Sequence, residues 1–142
     1  MKTIKQLKTI KPNYLTARTA LNVPNKEMTG DWNFYNYFIA TPNEYFVGSI
    51  DDNIFGDKGI IEVSQILKKH GVEIQEKIWS ADHYRAIADM FLDCMQNKNS
   101  FRSLFFAVDD WLNTTNEKKQ LFTYLELLNN NKINNWIQNA SH

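Results

Sequence analysis

The adjacent residues Asp82 and His83 are the side chains best suited to acid–base chemistry in this sequence of 142 residues. A general base works only when a reacting group lies within hydrogen-bond reach of it. No serine or cysteine lies in a nucleophile setting beside the pair, and Cys94 follows His83 by eleven residues, about three helical turns. We therefore assign no catalytic residue from the sequence, and we expect His83 to be structural or exposed.

Asp51, Asp52 and Asp57 form the densest acidic cluster, and carboxylates are the ligands that hard cations prefer. The segment is shorter than a calcium-binding loop and lacks its ligand spacing, so a solvated acidic turn is the better interpretation. The three histidines and the single cysteine are too scattered for a zinc site. The glycines and lysine of residues 56–59 lack the frame of a phosphate-binding loop. We expect neither a metal nor a cofactor.

The segment 30–46 is rich in aromatic side chains and contains acids but no lysine or arginine. Tyrosine and tryptophan are favoured anchors at protein interfaces, and an acidic surface suits a basic protein partner. We expect at least half of these aromatic side chains to be core and the others to contact the partner. The predicted partner-binding residues are Asp31, Trp32, Tyr35, Tyr37 and Tyr45.

The net charge is zero, but the charges are distributed unevenly along the chain. Residues 1–26 carry six basic residues and no acid, whereas residues 27–66 carry seven acids and only one base, Lys58. Either the two segments lie against each other, or one of them meets an oppositely charged partner. The basic arm would suit the phosphates of a nucleic acid. The residues of this alternative nucleic-acid site are Lys2, Lys5, Lys8 and Lys11.

Hydrophobic periodicity predicts an α+β fold that is mostly α-helical, with a small aromatic-rich β-hairpin at about 32–50 packed on a bundle of about four to six helices. Residues 44–50 favour a strand, whereas 32–39 fits a strand or a helix, and we lean to the strand. Ser80 is a suitable N-cap for the helix 81–96, and Thr114 with Glu117 has the form of a capping box. The predicted helices are 14–22, 58–70, 81–96, 101–113, 115–129 and 132–139.

The length fits a single domain over residues 1–142, with residues 1–12 as a flexible basic arm. One cysteine excludes an internal disulfide and fits a reducing compartment. No apolar run reaches the length of a membrane span, and the N-terminus lacks the apolar core of a secretory signal. We therefore expect a cytoplasmic protein with no membrane partner. We also expect a homodimer, because the predicted C-terminal helices carry Trp111, Phe122 and Trp136, which need cover.

Three segments, taken in order, resemble a small and poorly characterised bacterial family. They are Tyr14-LTARTALNVP, then Gly30-Asp31-Trp32, and then Ile54-FGDKGI followed by Ile78-WSADHYRAIADM. Members of that family combine motifs of the forms YLTARxALNxP, GDW, FGxxGI and VAxHxRAxxD, and the resemblance extends to about Asp93. The sequence departs from the pattern at Asn33, where the family has a histidine. The positions carried over are Tyr14, Arg18, Asn22, Gly30, Asp31, Trp32, Phe55, Gly56, His83 and Arg85.

The resemblance implies an association with toxin–antitoxin or defence genes and brings no established activity with it. Four of its polar positions, Arg18, Asp31, His83 and Arg85, are candidates for one cluster, either a site or a buried structural network. The first functional hypothesis is a non-enzymatic protein-binding component of a bacterial toxin–antitoxin or phage-defence type system. The alternatives are a nucleic-acid-binding regulator that uses the basic arm, and a small enzyme with a site at Asp31, His83 and Arg85.

Overall fold

The computed structural model describes residues 2–3, 13–40, 44–74 and 76–140, and its fold is α+β and mostly helical, as predicted. A π-helix spans Tyr35–Ala40 and a 3₁₀ turn spans Glu126–Leu128. The strands are β1 (Lys2–Thr3), β2 (Asn13–Leu15), β3 (Glu44–Tyr45), β4 (Val47–Ser49), β5 (Ile60–Glu62) and β6 (Trp79–Ala81). The α-helices are α1 (Ala17–Leu21), α2 (Ser64–Lys69), α3 (His83–Gln96), α4 (Arg102–Trp111), α5 (Thr115–Leu125) and α6 (Asn131–Ala140).

The described strands form two small sheets. In the larger sheet the strand order is β4-β2-β6-β5, where β2 is antiparallel to β4 and parallel to β6. Strands β5 and β6 are antiparallel. The smaller sheet pairs β1 with β3, so that Lys2 lies opposite Tyr45. Because β6 lies inside the larger sheet and directly precedes α3, the sheet fixes where the longest helix begins.

The predicted hairpin at about 32–50 is wrong in its first half. Strands occur within 44–50, but β3 pairs with β1 and β4 pairs with β2, and the preceding segment is the π-helix. Phe34, Tyr37 and Phe38 are spaced three and four residues apart, which puts them on one side of a helical turn. The rings of Phe34 and Phe38 stack at 5.1 Å, and Phe38 stacks on Tyr45 at 5.6 Å. This packing outweighs the weak strand preference of aromatic residues.

Two predicted helices are shorter than expected because strands take their first residues. The segment 14–22 begins within β2, and the segment 58–70 includes β5, so α1 and α2 are short helices. Tyr14 and Leu15 are consecutive and both fully buried, as in a strand covered on both faces. Pairing with neighbouring strands therefore decides the conformation of residues whose apolar spacing looked helical.

The longer helices agree with the prediction, and their caps explain where they begin. Asp82, rather than Ser80, caps α3, because its side chain accepts a hydrogen bond from the Arg85 amide at 2.8 Å. Thr114 and Glu117 form the predicted capping box at α5. In both cases a side-chain oxygen binds an amide that has no partner inside the helix. No helix in the described part of the chain is both long and apolar enough to cross a membrane.

Helix α3 lies at the centre of the larger hydrophobic cluster and contacts α1, α4 and α5. This packing also buries Trp111 and Phe122 within the chain. Of the three residues on which the expected homodimer rests, only Trp136 stays half-buried. A second hydrophobic cluster lies under the π-helix, α2 and β2. Its buried members are Leu15, Val23, Phe38, Tyr45, Val63, Leu67, Ile74 and Ile78.

Gly56 and Gly59 are a matched pair for testing how tightly the loop before β5 packs on α3. Both have a left-handed backbone, with φ of 58° and 72°. A Cβ atom on Gly59 would lie 2.6 Å from the Tyr124 hydroxyl and 2.9 Å from Arg85 Cβ, whereas one on Gly56 would meet nothing within 4 Å. We expect Gly56→Ala to lower the free energy of unfolding by about 1 kcal/mol through backbone strain alone. Gly59→Ala should cost roughly 1–3 kcal/mol more in urea unfolding, and equal losses would contradict the tight packing.

Candidate functional site

Arg85 is fully buried in the first turn of α3, where its guanidinium has a partner for each of its three nitrogens. Nε donates to Asp89 Oδ1 at 3.0 Å, Nη1 to the Lys58 carbonyl at 2.6 Å, and Nη2 to the Tyr14 hydroxyl at 2.9 Å. The guanidinium carbon also lies 5.1 Å from the Tyr14 ring centre and 5.3 Å from that of Phe55. Three positions of the family-like motifs, Tyr14, Phe55 and Arg85, therefore meet in one buried contact.

Asp89 completes this network from the same helix. Its Oδ2 accepts hydrogen bonds from the Tyr14 hydroxyl and from Thr16 Oγ1, both at 2.7 Å. Burial, and then the Asp89 carboxylate, raise the pKa of Tyr14 above its usual range, so the hydroxyl stays protonated and donates to Asp89. The network ties β2, the loop before β5 and α3 together. Its donors and acceptors are satisfied within the protein, which is typical of a structural brace.

We expect Arg85→Met to lower the free energy of unfolding by about 3–5 kcal/mol, because it leaves the poorly accessible Asp89 carboxylate without its cation. The matched control is Lys118→Ala, which breaks the exposed ion pair between Lys118 and Asp109 and should cost about 0–1 kcal/mol. Urea unfolding followed by circular dichroism measures both. Similar losses of unfolding free energy in the two variants would show that Arg85 does not hold these segments together.

His83 lies two residues before Arg85 and is buried by a different set of groups. Its Nε2 is 2.7 Å from the Val23 carbonyl, and its Nδ1 is 2.6 Å from Thr29 Oγ1 and 3.0 Å from Asn25 Nδ2. A carbonyl can only accept, so Nε2 carries the proton, and Nδ1 accepts from Thr29 or Asn25 as a neutral imidazole. Burial lowers the pKa of His83, opposed by the Val23 carbonyl and the charge of Glu27.

The neutral state of His83 predicts a loss of stability in mild acid. The pKa of His83 is lower in the folded chain than its ordinary value of 6.5, so the unfolded chain takes up the proton first as the pH falls. The contribution of His83 is therefore complete above pH 6.5 and is lost progressively below it, with a slope of at most about 1.4 kcal/mol per pH unit. His83→Gln should remove this part of the pH dependence, and the control His70→Gln should retain it. Parallel stability curves for wild type and His83→Gln would contradict the assignment.

A groove runs over the residues that hold His83. It has a volume of about 300 Å³ and lies between the end of α1, the loop that follows it, the start of the π-helix and the end of α2. Met28 and Trp32 are 58% and 67% exposed at this groove. The other lining residues are Leu21, Asn22, Val23, Pro24, Asn25, Thr29, Phe34 and His70.

The loop that carries Met28 and Trp32 is held firmly although its apolar side chains are exposed. The Gly30 amide donates to the Trp111 carbonyl at 2.9 Å, and the Asp31 amide to the Leu21 carbonyl at 3.0 Å. Met28 and Trp32 have left-handed backbones, with φ of 57° and 61°. Such conformations cost about 1–2 kcal/mol for a bulky residue and persist only where the surroundings impose them. The exposure of Trp32 is therefore imposed by the fold.

Gly30 shows how closely this loop approaches His83. It has φ of 102°, and a Cβ atom there would lie 2.3 Å from the Leu21 carbonyl oxygen and 2.7 Å from His83 Cε1. Only glycine fits this position, because both the conformation and the space exclude a side chain. The fold thus requires the glycine of the GDW motif, whereas the tryptophan two residues later is exposed.

The predicted partner-binding residues divide between the surface and the core. Trp32 and Tyr35 are exposed, and Asp31 and Tyr37 are half-buried. Tyr45 is 4% exposed and belongs to the hydrophobic cluster under the π-helix. The prediction that it lies on the surface and contacts a partner is therefore wrong. Its ring stacks on Phe38 and lies 6.2 Å from that of Tyr37, and this aromatic packing removes it from solvent.

The structure does not bring Arg18, Asp31, His83 and Arg85 together. His83 and Arg85 contact separate groups on neighbouring parts of α3, as described above, and Arg18 is exposed on α1. Within the described residues, no hydrogen bond or ion pair links the side chains of these four residues. Of the basic-arm positions, Lys5, Lys8 and Lys11 lie outside the described residues, and Lys2 is described only as part of β1.

Sequence reasoning missed most residues of the groove, among them Val23, Pro24, Met28 and His70. They come from a loop and from the end of α2, where no periodicity marks a shared face. His70 reaches the groove because its ring lies against that of Phe34 at 5.3 Å. Among the described residues, no three histidine, cysteine, aspartate or glutamate side chains are grouped so that they could hold a metal ion. Six of the ten residues that line the groove are apolar, so it is mainly an apolar surface.

Comparison with known proteins adds no relative. No family model matches the sequence, and no curated protein and no solved structure is significantly similar to it.

Proposed function

We propose that this protein is a non-enzymatic, cytoplasmic binding component that recognises a basic protein partner through the groove at Trp32. The observation that carries the proposal is the 67% exposure of Trp32 beside an apolar groove, on a loop that is hydrogen-bonded into the fold. A preformed loop loses little conformational freedom on binding, which favours affinity. An exposed indole held in this way is therefore well placed to act as an anchor.

The groove has the residue types of a protein-binding surface. Tryptophan is among the residues that most often dominate binding energy, and methionine adapts its shape to a partner side chain. Trp32 and Met28 supply one of each, and Tyr35 is also exposed just beyond Trp32. A groove of about 300 Å³ has room for one or two apolar side chains of a partner.

The acidic composition of the segment that carries Trp32 favours a basic partner. The loop itself carries Glu27 and Asp31 against Lys26, and residues 27–66 carry seven acids and one base in all. Charges around an interface accelerate association with a partner of opposite sign and select against partners of the same sign. We therefore expect binding to weaken as salt concentration rises, with the change mainly in the association rate.

The motif resemblance supports placing this binding component in a bacterial toxin–antitoxin or phage-defence type system, with a toxin-like protein as the partner. The two alternative functions gain no support from the described residues. Asp31, His83 and Arg85 make separate contacts, so their geometry does not favour an enzyme. The lysines of the nucleic-acid alternative lie in the basic arm, and their side chains are outside what the structure describes.

The proposal is tested by capturing the partner and then removing the anchor. Tagged protein is purified from its host at low salt, and the partner that co-purifies in stoichiometric amount is identified, purified separately and titrated by calorimetry. Trp32→Asn removes the indole and keeps a residue that tolerates the left-handed backbone. We expect it to weaken binding by about 2 kcal/mol, or about thirtyfold, while the free energy of unfolding changes by less than about 0.5 kcal/mol.

Ile54→Ser is the control, because Ile54 is also a large exposed apolar residue but lies outside this groove. A complex that forms equally well with Trp32→Asn would place the binding surface elsewhere. Co-purification of nucleic acid that leaves as salt rises would favour the basic arm instead. A protein that elutes alone under these conditions would overturn the proposal.

A further inference from the structure

A second exposed aromatic residue, Phe106 on α4, is unrelated to the groove at Trp32. It is 70% exposed, which is the largest exposed fraction among the large apolar side chains described. It borders a groove of about 450 Å³ between α4 and α6, whose floor includes Phe105 and Trp136. The rings of Phe105 and Trp136 stack on each other at 4.6 Å, so α4 and α6 are joined by an aromatic contact beneath the groove.

The exposed face of α4 has a regular order of charge. Arg102 lies three and four residues before the adjacent Phe105 and Phe106, and Asp109 lies four and three residues after them. At 3.6 residues per turn the four side chains fall within an arc of about 100°, on one face of the helix. Arg102 precedes Phe105 by three residues, and Asp109 follows Phe106 by three residues. The cation and the anion are therefore equidistant from the midpoint of the aromatic pair.

We infer that this face binds a second copy of the chain, with the two α4 helices antiparallel across a twofold axis near Phe105 and Phe106. In that arrangement Arg102 of each copy faces Asp109 of the other, and the two aromatic pairs pack at the centre. A twofold interface must be self-complementary, with residue i meeting residue j and j meeting i. The symmetric order cation, aromatic pair, anion on α4 meets this condition.

The apolar and charged parts of the interface have different roles. Burying Phe106 in the groove of the other copy removes apolar surface from water and supplies most of the affinity. The exposed pairs of Arg102 and Asp109 contribute little energy and instead fix the register of the two helices. Asp109 also contacts Lys118 of its own chain at 2.5 Å, so each Asp109 would lie between two cations. Lys132 adds a further positive charge at the rim of the groove.

Sedimentation equilibrium of the full chain tests the inference across micromolar to submillimolar concentrations. We expect a reversible equilibrium between monomer and dimer for the wild type, and Phe106→Ser should weaken it by at least about tenfold. The control Trp32→Asn should leave it unchanged. Circular dichroism verifies that each variant is folded. A wild type that stays monomeric throughout, or a dimer that is insensitive to Phe106→Ser, would overturn the inference.

A charge exchange tests the antiparallel register independently of Phe106. All variants carry Lys118→Gln, so that a cation at position 109 has no like-charged neighbour from its own chain. Arg102→Asp alone and Asp109→Arg alone should each weaken the dimer, because each brings like charges together across the axis. The two substitutions combined should restore it to the level of the Lys118→Gln parent. A combined variant no stronger than the single ones would refute the antiparallel pairing.

Discussion

The buried guanidinium of Arg85 is the constraint on which the rest of this structure depends. Taking a cation out of water costs several kcal/mol, and this cost is offset only if the hydrogen bonds around the ion are complete. Asp89, the Tyr14 hydroxyl and the Lys58 carbonyl complete them, and they come from three separate parts of the chain. The Arg85 guanidinium therefore has all of these hydrogen bonds only when the sheet, the loop before β5 and α3 are folded correctly.

The same helix orders the surface through His83. A neutral, buried imidazole holds Val23, Asn25 and Thr29, and these residues form part of the groove floor. The loop closes over the imidazole at Gly30, and its return to the π-helix leaves the Trp32 side chain in solvent. The buried hydrogen bonds of His83 thus help to determine where the exposed Trp32 lies. Function in this protein is best sought at such exposed residues, because the buried polar groups already have partners.

The parts of the fold that were predictable are those with local physical causes. The capping box of Thr114 and Glu117 and the apolar spacing along α3 and α5 act over a few residues, so they can be read without knowing the fold. The strand predicted for residues 32–39 is wrong because their aromatic side chains satisfy both a strand preference and a helical spacing. Packing against Tyr45 decided between the two conformations. The strands β2 and β5 were missed because three residues carry almost no periodic signal.

The sequence by itself determined the mostly helical α+β class, the capping box of α5 and the presence of an acidic, aromatic middle segment, because composition and local spacing decide these. Only the tertiary structure decided that Arg85 and His83 belong to separate buried networks, that Tyr45 is core, and that Trp32 and Phe106 are exposed. Burial is a property of the whole packing arrangement, and residues of the same chemical type along a chain become anchors or core according to which distant segments cover them.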